Sequence, residues 1–167
     1  MTPLHRKQRK EPTSELEIQH SESCEELILN TEQKKIYDSL IKDKKKFKVN
    51  VIRGVTGSGK TELYVKLAEK SIEKNFQILV MVPEINLIPQ TLERFKKYLK
   101  TIPLQYHSNL TPIQKYKVWK ACCTEEKIIV IGTRSSIFLP FKKLGLIVID
   151  EEPVSYTHLT LPTICSV

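Results

Sequence analysis

The chain has 167 residues, 40% hydrophobic and 28% charged, with 27 Lys and Arg against 19 Asp and Glu for a net charge of +8. That is enough for one domain with a buried core and an ordinary balance for a soluble globular protein; no apolar run approaches the ~20 residues of a membrane span, and residues 1–26 lack the apolar core of a secretory leader. The positive excess lies between residues 31 and 152, because residues 1–30 are net acidic and 153–167 contain no Lys, Arg, Asp or Glu. Such a region suits a polyanion such as nucleic acid, and a lysine-rich solubilising surface is an equally open reading. Cys24, Cys122, Cys123 and Cys165 form neither a CxxC pair nor a Cys/His ligand spacing, so reduced thiols in a cytosolic protein are expected.

Residues 1–28 are polar and aperiodic and read as a linker or disordered arm. Thr31 can cap a helix whose Ile36, Tyr37, Leu40 and Ile41 share one face. Phe47 to Val55 is strand-like, and the stretch from Gly57 to Lys74 reads as a helix with Leu63, Leu67 and Ile72 inward. Gln77 to Pro83 is a second, continuously apolar strand. Ile85 to Leu99 is mostly helical with Pro89 in its first turn. Thr101 to Ser108 is a short third strand. Thr111 opens a helix through Trp119 to Cys122, with Trp119 expected in the core. Lys127 to Arg134 and Leu144 to Asp150 are two further apolar strands. All-apolar strands alternating with amphipathic helices predict an α/β fold, a mostly parallel sheet covered on both faces, with ligands at the carboxyl ends of its strands.

Two motifs fall at such ends. GVTGSGKT, Gly54 to Thr61, follows a strand and precedes a helix, the context of a nucleotide phosphate loop. Gly57 and Gly59 let backbone N–H groups converge on phosphate oxygens at a helix N-terminus. Lys60 reaches the β/γ-phosphates and the Thr61 hydroxyl ligates Mg²⁺; Thr56 and Ser58 complete the loop. LIVIDEE ends in Asp150, a candidate Mg²⁺ ligand, and Glu151, a candidate to orient the attacking water. Carboxylates beside a buried strand are costly without a cation. Lys60, Asp150 and Glu151 are thus the candidate catalytic set of an ATP-using, Mg²⁺-dependent triphosphatase.

LNTEQ (Leu29–Gln33), GVTGSGKTE, MVPEINLIPQT (Met81–Thr91), YHSNL (Tyr106–Leu110), IVIGTRSSIFLPF (Ile129–Phe141) and LGLIVIDEE occur in an order and at spacings that resemble the first motor lobe of the superfamily 2 helicases. Within these they are similar to the PriA family of bacterial replication-restart helicases. The resemblance implies a RecA-like P-loop lobe over residues 29–152 that binds Mg-ATP and single-stranded DNA. It implies that Gln33 reads the adenine edge, that Pro83 and Glu84 face the DNA track, and that Thr133 and Arg134 form a further DNA-facing turn. His107 matches the family's His-Ser pair and is expected to be a structural loop residue. Forked DNA, single-strand binding protein and other primosome components are the implied partners, with no membrane. The family's zinc-binding insertion and second motor lobe have no counterpart in these residues. A RecG-like or UvrB-like motor is the nearest alternative. A non-catalytic nucleotide-binding module is the reading for the chain taken alone, and a metabolic P-loop kinase lacks a visible acceptor site.

After Glu152 the family pattern continues with His, whereas this chain has Pro153. One back-translation of Pro153 to Thr163 resembles a sequencing-library adapter. Residues 153–167 are therefore expected to be a non-native tail, poorly ordered or opportunistically packed, with an apolar face of the lobe left exposed.

Overall fold

The computed structural model of the chain describes residues 24–42, 47–55 and 57–150, together with the backbone of 163–166. In chain order the elements are α1 (Thr31–Ile41), β1 (Val49–Ile52), α2 (Lys60–Glu73), β2 (Gln77–Met81), α3 (Ile88–Tyr98), β3 (Leu104–Tyr106), α4 (Pro112–Thr124), β4 (Ile129–Gly132), β5 (Leu144–Ile149) and β6 (Thr163–Ser166), with 3₁₀ turns at Ile85–Leu87 and Arg134–Phe138. The expected helices and strands are present, the strands trimmed to their hydrogen-bonded centres.

Local chemistry sets the helix starts. The cap of α1 is Asn30, not Thr31: the Asn30 side chain accepts from the Gln33 N–H at 2.8 Å, and the Gln33 side chain accepts from the Asn30 N–H at 2.9 Å. Thr111 and Gln114 form the same reciprocal box at the start of α4, with Pro112 in its first turn. On α1, Tyr37, Leu40 and Ile41 pack on the core. Ile36 does not; it is 38% exposed, because it lies about 100° round the helix from Tyr37.

The sheet has six strands in the order β1-β6-β5-β2-β4-β3. Strands β5, β2, β4 and β3 are mutually parallel, and β6 runs antiparallel to both of its neighbours. The backbone of 163–166, in the segment expected to be foreign, thus lies inside the sheet; the rest of that segment falls outside the described residues.

Alternation along each strand divides the core in two. Ile78, Val80 and Val82 of and just after β2, Ile129 and Ile131 of β4, and Leu146 and Val148 of β5 meet α2 and α3 on one face. Leu79, Met81, Ile128 and Val130 meet Val118 and Cys122 of α4 on the other. That second face is covered only toward β3. At the β1 end Phe47, Val49 and Val51 are exposed, so the two-sided cover expected from the sequence is incomplete there among the described residues.

Gln77, fully buried at the start of β2, ties the lower end of the sheet together. Its amide donates to the Cys122 carbonyl at 2.8 Å and the Glu125 carbonyl at 2.7 Å, and its oxygen accepts from the Lys143 N–H at 2.8 Å. Gln77→Leu leaves these backbone groups without their partner and is expected to destabilise the chain by about 3 kcal/mol. Urea unfolding measures this as a lower midpoint at unchanged slope; an unchanged midpoint would disprove the role. Burial, and then neighbouring Cys123, push the Cys122 thiol up to about 12 from 9.0. The folded chain holds this thiol neutral, so its stabilising contribution is complete below about pH 9 and is lost as the pH rises toward 12. A variant retaining only Cys122 should resist a thiol-disulfide reagent at pH 8 until urea is added; prompt native labelling would contradict the burial.

Candidate nucleotide site

Strand register brings the candidate residues to one edge. Met81 pairs with Ile149 of β5 and with Gly132 of β4, and Gly132 pairs with Tyr106 of β3. The next residue on each strand is therefore level: Val82, Asp150, Thr133 and His107. Two backbone bonds extend that row, from the Asp150 N–H to the Met81 carbonyl at 2.8 Å and from the Val82 N–H to the Gly132 carbonyl at 2.9 Å. Val49 and Ile147 both pair with Ser166, so Ile52 of β1 stands level with Asp150, two strand spacings or roughly 10 Å away. The phosphate-loop sequence leaves β1 at this level.

Gly57 and Gly59 both take φ +80°, the left-handed region that a side chain disfavours, and Gly59 is the N-cap of α2. A Cβ on Gly57 would meet nothing within 4 Å, whereas one on Gly59 would collide with the Gln33 amide nitrogen. Open space therefore lies over the first glycine, and a polar side chain closes on the second. Several groups of the loop are bonded within the protein. The Lys60 ammonium donates to the Gly54 carbonyl at 2.7 Å and to the Val55 carbonyl at 3.2 Å, and the Ser58 N–H donates to the Val55 carbonyl at 3.1 Å. The Gln33 amide donates to the Gly59 carbonyl at 3.1 Å while its oxygen serves the α1 cap. These residues fit a triphosphate and Mg²⁺ by their chemistry: an ammonium and a hydroxyl begin α2 at a loop with room above Gly57. Thr56 and Glu151 lie outside the described residues.

Arg94 was not singled out by the sequence. Its guanidinium donates to the Thr61 hydroxyl at 2.9 Å, linking α3 to the first turn of α2. An exposed arginine on a helix gives no local signal; only the packing of α3 beside α2 reveals it. Pro83 is half-buried and Glu84 exposed where β2 gives way to the 3₁₀ turn. Thr133 and Arg134 open the turn after β4, held by the Ser136 hydroxyl donating to the Thr133 carbonyl at 2.6 Å; Arg134 is exposed. Asp150 is half-buried at the end of β5. His107 stays in the loop after β3, its Nδ1 buried without a partner among the described residues. No group of three or more His, Cys, Asp or Glu able to hold a metal occurs among the described residues.

The two glycines predict different costs. Gly57→Ala should cost only left-handed strain, about 1–2 kcal/mol, whereas Gly59→Ala should cost more, because it also expels the Gln33 amide. Denaturant unfolding of both variants checks the order; equal losses would mean that Gln33 does not rest on the loop.

The DEAD/DEAH box helicase family matches residues 30–155. The chain is 42% identical over 141 residues to the replication restart protein PriA of Bacillus subtilis (strain 168), covering 83% of this chain and 18% of the relative. It is 44% identical over 126 residues to that of Haemophilus influenzae, covering 75% and 17%, and 45% identical over 102 residues to that of Synechocystis, covering 61% and 12%. The chain thus spans less than a fifth of the length of these relatives. With the α/β sheet and the loop after β1, these matches identify a PriA-like stretch of helicase sequence: the chain belongs to the DEAD/DEAH box helicase family.

Proposed function

We propose that residues 29–152 are the first motor lobe of an ATP-dependent DNA helicase acting in replication restart. The observation that carries this reading is the level row at the carboxyl edge, where the Gly54–Thr61 loop, Asp150 and the Thr133–Arg134 turn share one side of the sheet. Gly54, Thr56, Gly57, Ser58, Gly59, Lys60 and Thr61 cradle the phosphates, Thr61 and Asp150 hold Mg²⁺, Glu151 orients water and Gln33 reads adenine. Bound Mg-ATP supplies a phosphoanhydride whose cleavage powers movement. For the chain's part, Lys60 exchanges the Gly54 and Val55 carbonyls for phosphate oxygen, Thr61 exchanges the Arg94 guanidinium for the cation, and Gln33 gives up Gly59. In each exchange a contact within the protein gives way to one with the nucleotide or its cation, and Lys60 gains an anionic acceptor in place of neutral carbonyls. Single-stranded DNA runs past Pro83, Glu84, Thr133 and Arg134. Forked DNA, single-strand binding protein and primosome proteins are the partners of the whole molecule, in a bacterial cytoplasm, and any zinc belongs to sequence outside this lobe. Residues 1–28 are a linker and 153–167 a non-native tail.

Lys60→Ala should abolish binding of a fluorescent ATP analogue measured by anisotropy; binding equal to the parent would refute the phosphate-loop assignment. The 167-residue chain alone should show negligible DNA-stimulated ATP turnover, because a charge-stabilising arginine from a second lobe contributes ~10³–10⁵ in related phosphoryl transfers. Rapid turnover on adding single-stranded DNA would overturn that expectation. Long-read sequencing across the Glu152 codon, without a transposase step, should show the frame continuing with His; Pro-Val-Ser-Tyr in the source DNA would make the tail genuine.

A further inference from the structure

Helix α4 is apolar on two sides. Val118, Ala121 and Cys122 are buried against the sheet. On the outward side Ile113, Tyr116 and Trp119 are 62%, 61% and 49% exposed, so Trp119 is not the core residue its sequence suggested. The Tyr116 and Trp119 rings lie nearly parallel, 12° apart with centroids 6.4 Å apart, an offset stack that leaves ring face open to solvent. Lys120 lies one turn beyond Tyr116, toward the side of Ile113, and Lys117 lies one turn beyond Ile113. From Pro112 to Thr124 the helix carries Lys115, Lys117 and Lys120 and no carboxylate.

We propose that this outward face is a docking surface for single-stranded nucleic acid, with unpaired bases stacking on Tyr116 and Trp119 and phosphates meeting Lys117 and Lys120. Aromatic faces interleaved with lysines, without acids, match an unpaired strand's two chemistries, the π-face of each base and the charge of each phosphate. An apolar partner protein would use the aromatics and leave the uniform positive charge unmatched. Position supports the same occupant. Helix α4 starts at the carboxyl edge of the sheet; the end of β3 that leads to it meets the Thr133–Arg134 turn, where the Thr133 N–H donates to the Tyr106 carbonyl at 3.2 Å, and Lys115 of α4 donates back to the Ser108 carbonyl of the connecting loop at 2.7 Å. A strand passing over that turn reaches Ile113 and Tyr116 next. The surface therefore extends the DNA track proposed above and rests on that reading.

Trp119 is the single tryptophan of the chain, so tryptophan emission, excited beyond the tyrosine absorption band, reports this face alone. The full 167-residue chain is titrated with oligothymidylate, following Trp119 emission and, in parallel, the anisotropy of a labelled oligonucleotide. Binding should quench the emission and weaken with salt. Trp119→Ala and Tyr116→Ala should each weaken binding about 5- to 100-fold. Lys120→Glu, at an exposed position that tolerates change, should weaken binding and lower the salt slope by about one or more. Anisotropy that reports binding while Trp119 emission, Trp119→Ala and Lys120→Glu all leave it unmoved overturns the proposal and leaves the DNA track standing. No binding by either signal overturns both. Emission that is blue-shifted and shielded from acrylamide before DNA is added means that protein covers the face, and this too overturns the proposal.

Discussion

The structure depends on the backbone pairing of one buried strand. β2 is buried along its whole length and bonds to β5 on one side and β4 on the other. Backbone groups this deep must be paired, so slipping either neighbour by one residue would strand polar groups and turn apolar side chains toward the wrong face. The register is thereby held, and with it the level at which the four parallel strands β5, β2, β4 and β3 deliver their last residues. Asp150, Val82, Thr133 and His107 come together because they follow strands that cannot slide.

β1 is held differently. Its only pairing among the described strands is with β6, whose four residues bridge it to β5. The spacing between the glycine loop and Asp150 thus rests on a strand from beyond the helicase motifs, running antiparallel in an otherwise parallel sheet. Backbone bonding needs no particular side chain, so any extended segment of suitable length can satisfy the facing edges of β1 and β5. The bare Phe47, Val49 and Val51 on the same flank mark this as the less completed side of the sheet.

Around the loop, three described side chains with prospective work are engaged by protein. Lys60 caps two carbonyls, Thr61 accepts from Arg94 and Gln33 joins the α1 cap to Gly59. These contacts link α1, α2 and α3, so a change at the loop is felt in three helices. Arg94 matters here because α3 is also the helix entered from Pro83 and Glu84, which connects the loop to the opposite part of the edge.

Much of this was legible in the linear chain. The glycine-rich loop sequence, the acidic strand end and the alternation of apolar strands with helices are local patterns, set by φ/ψ demands, helix caps and burial that act over a few residues. The sequence by itself therefore determined the α/β class, the order of elements and the identity of Gly57, Gly59, Lys60 and Asp150 as candidates. Tertiary structure alone decided the rest. The order of strands, the insertion of β6, the contact of Arg94 with Thr61 and the exposure of Trp119 all depend on which elements become neighbours. Trp119 reads as core until α4 turns Val118 and Cys122 to the sheet and leaves its far side with nothing described against it. Such facts arise from packing between segments distant in the chain, and no short-range pattern encodes them.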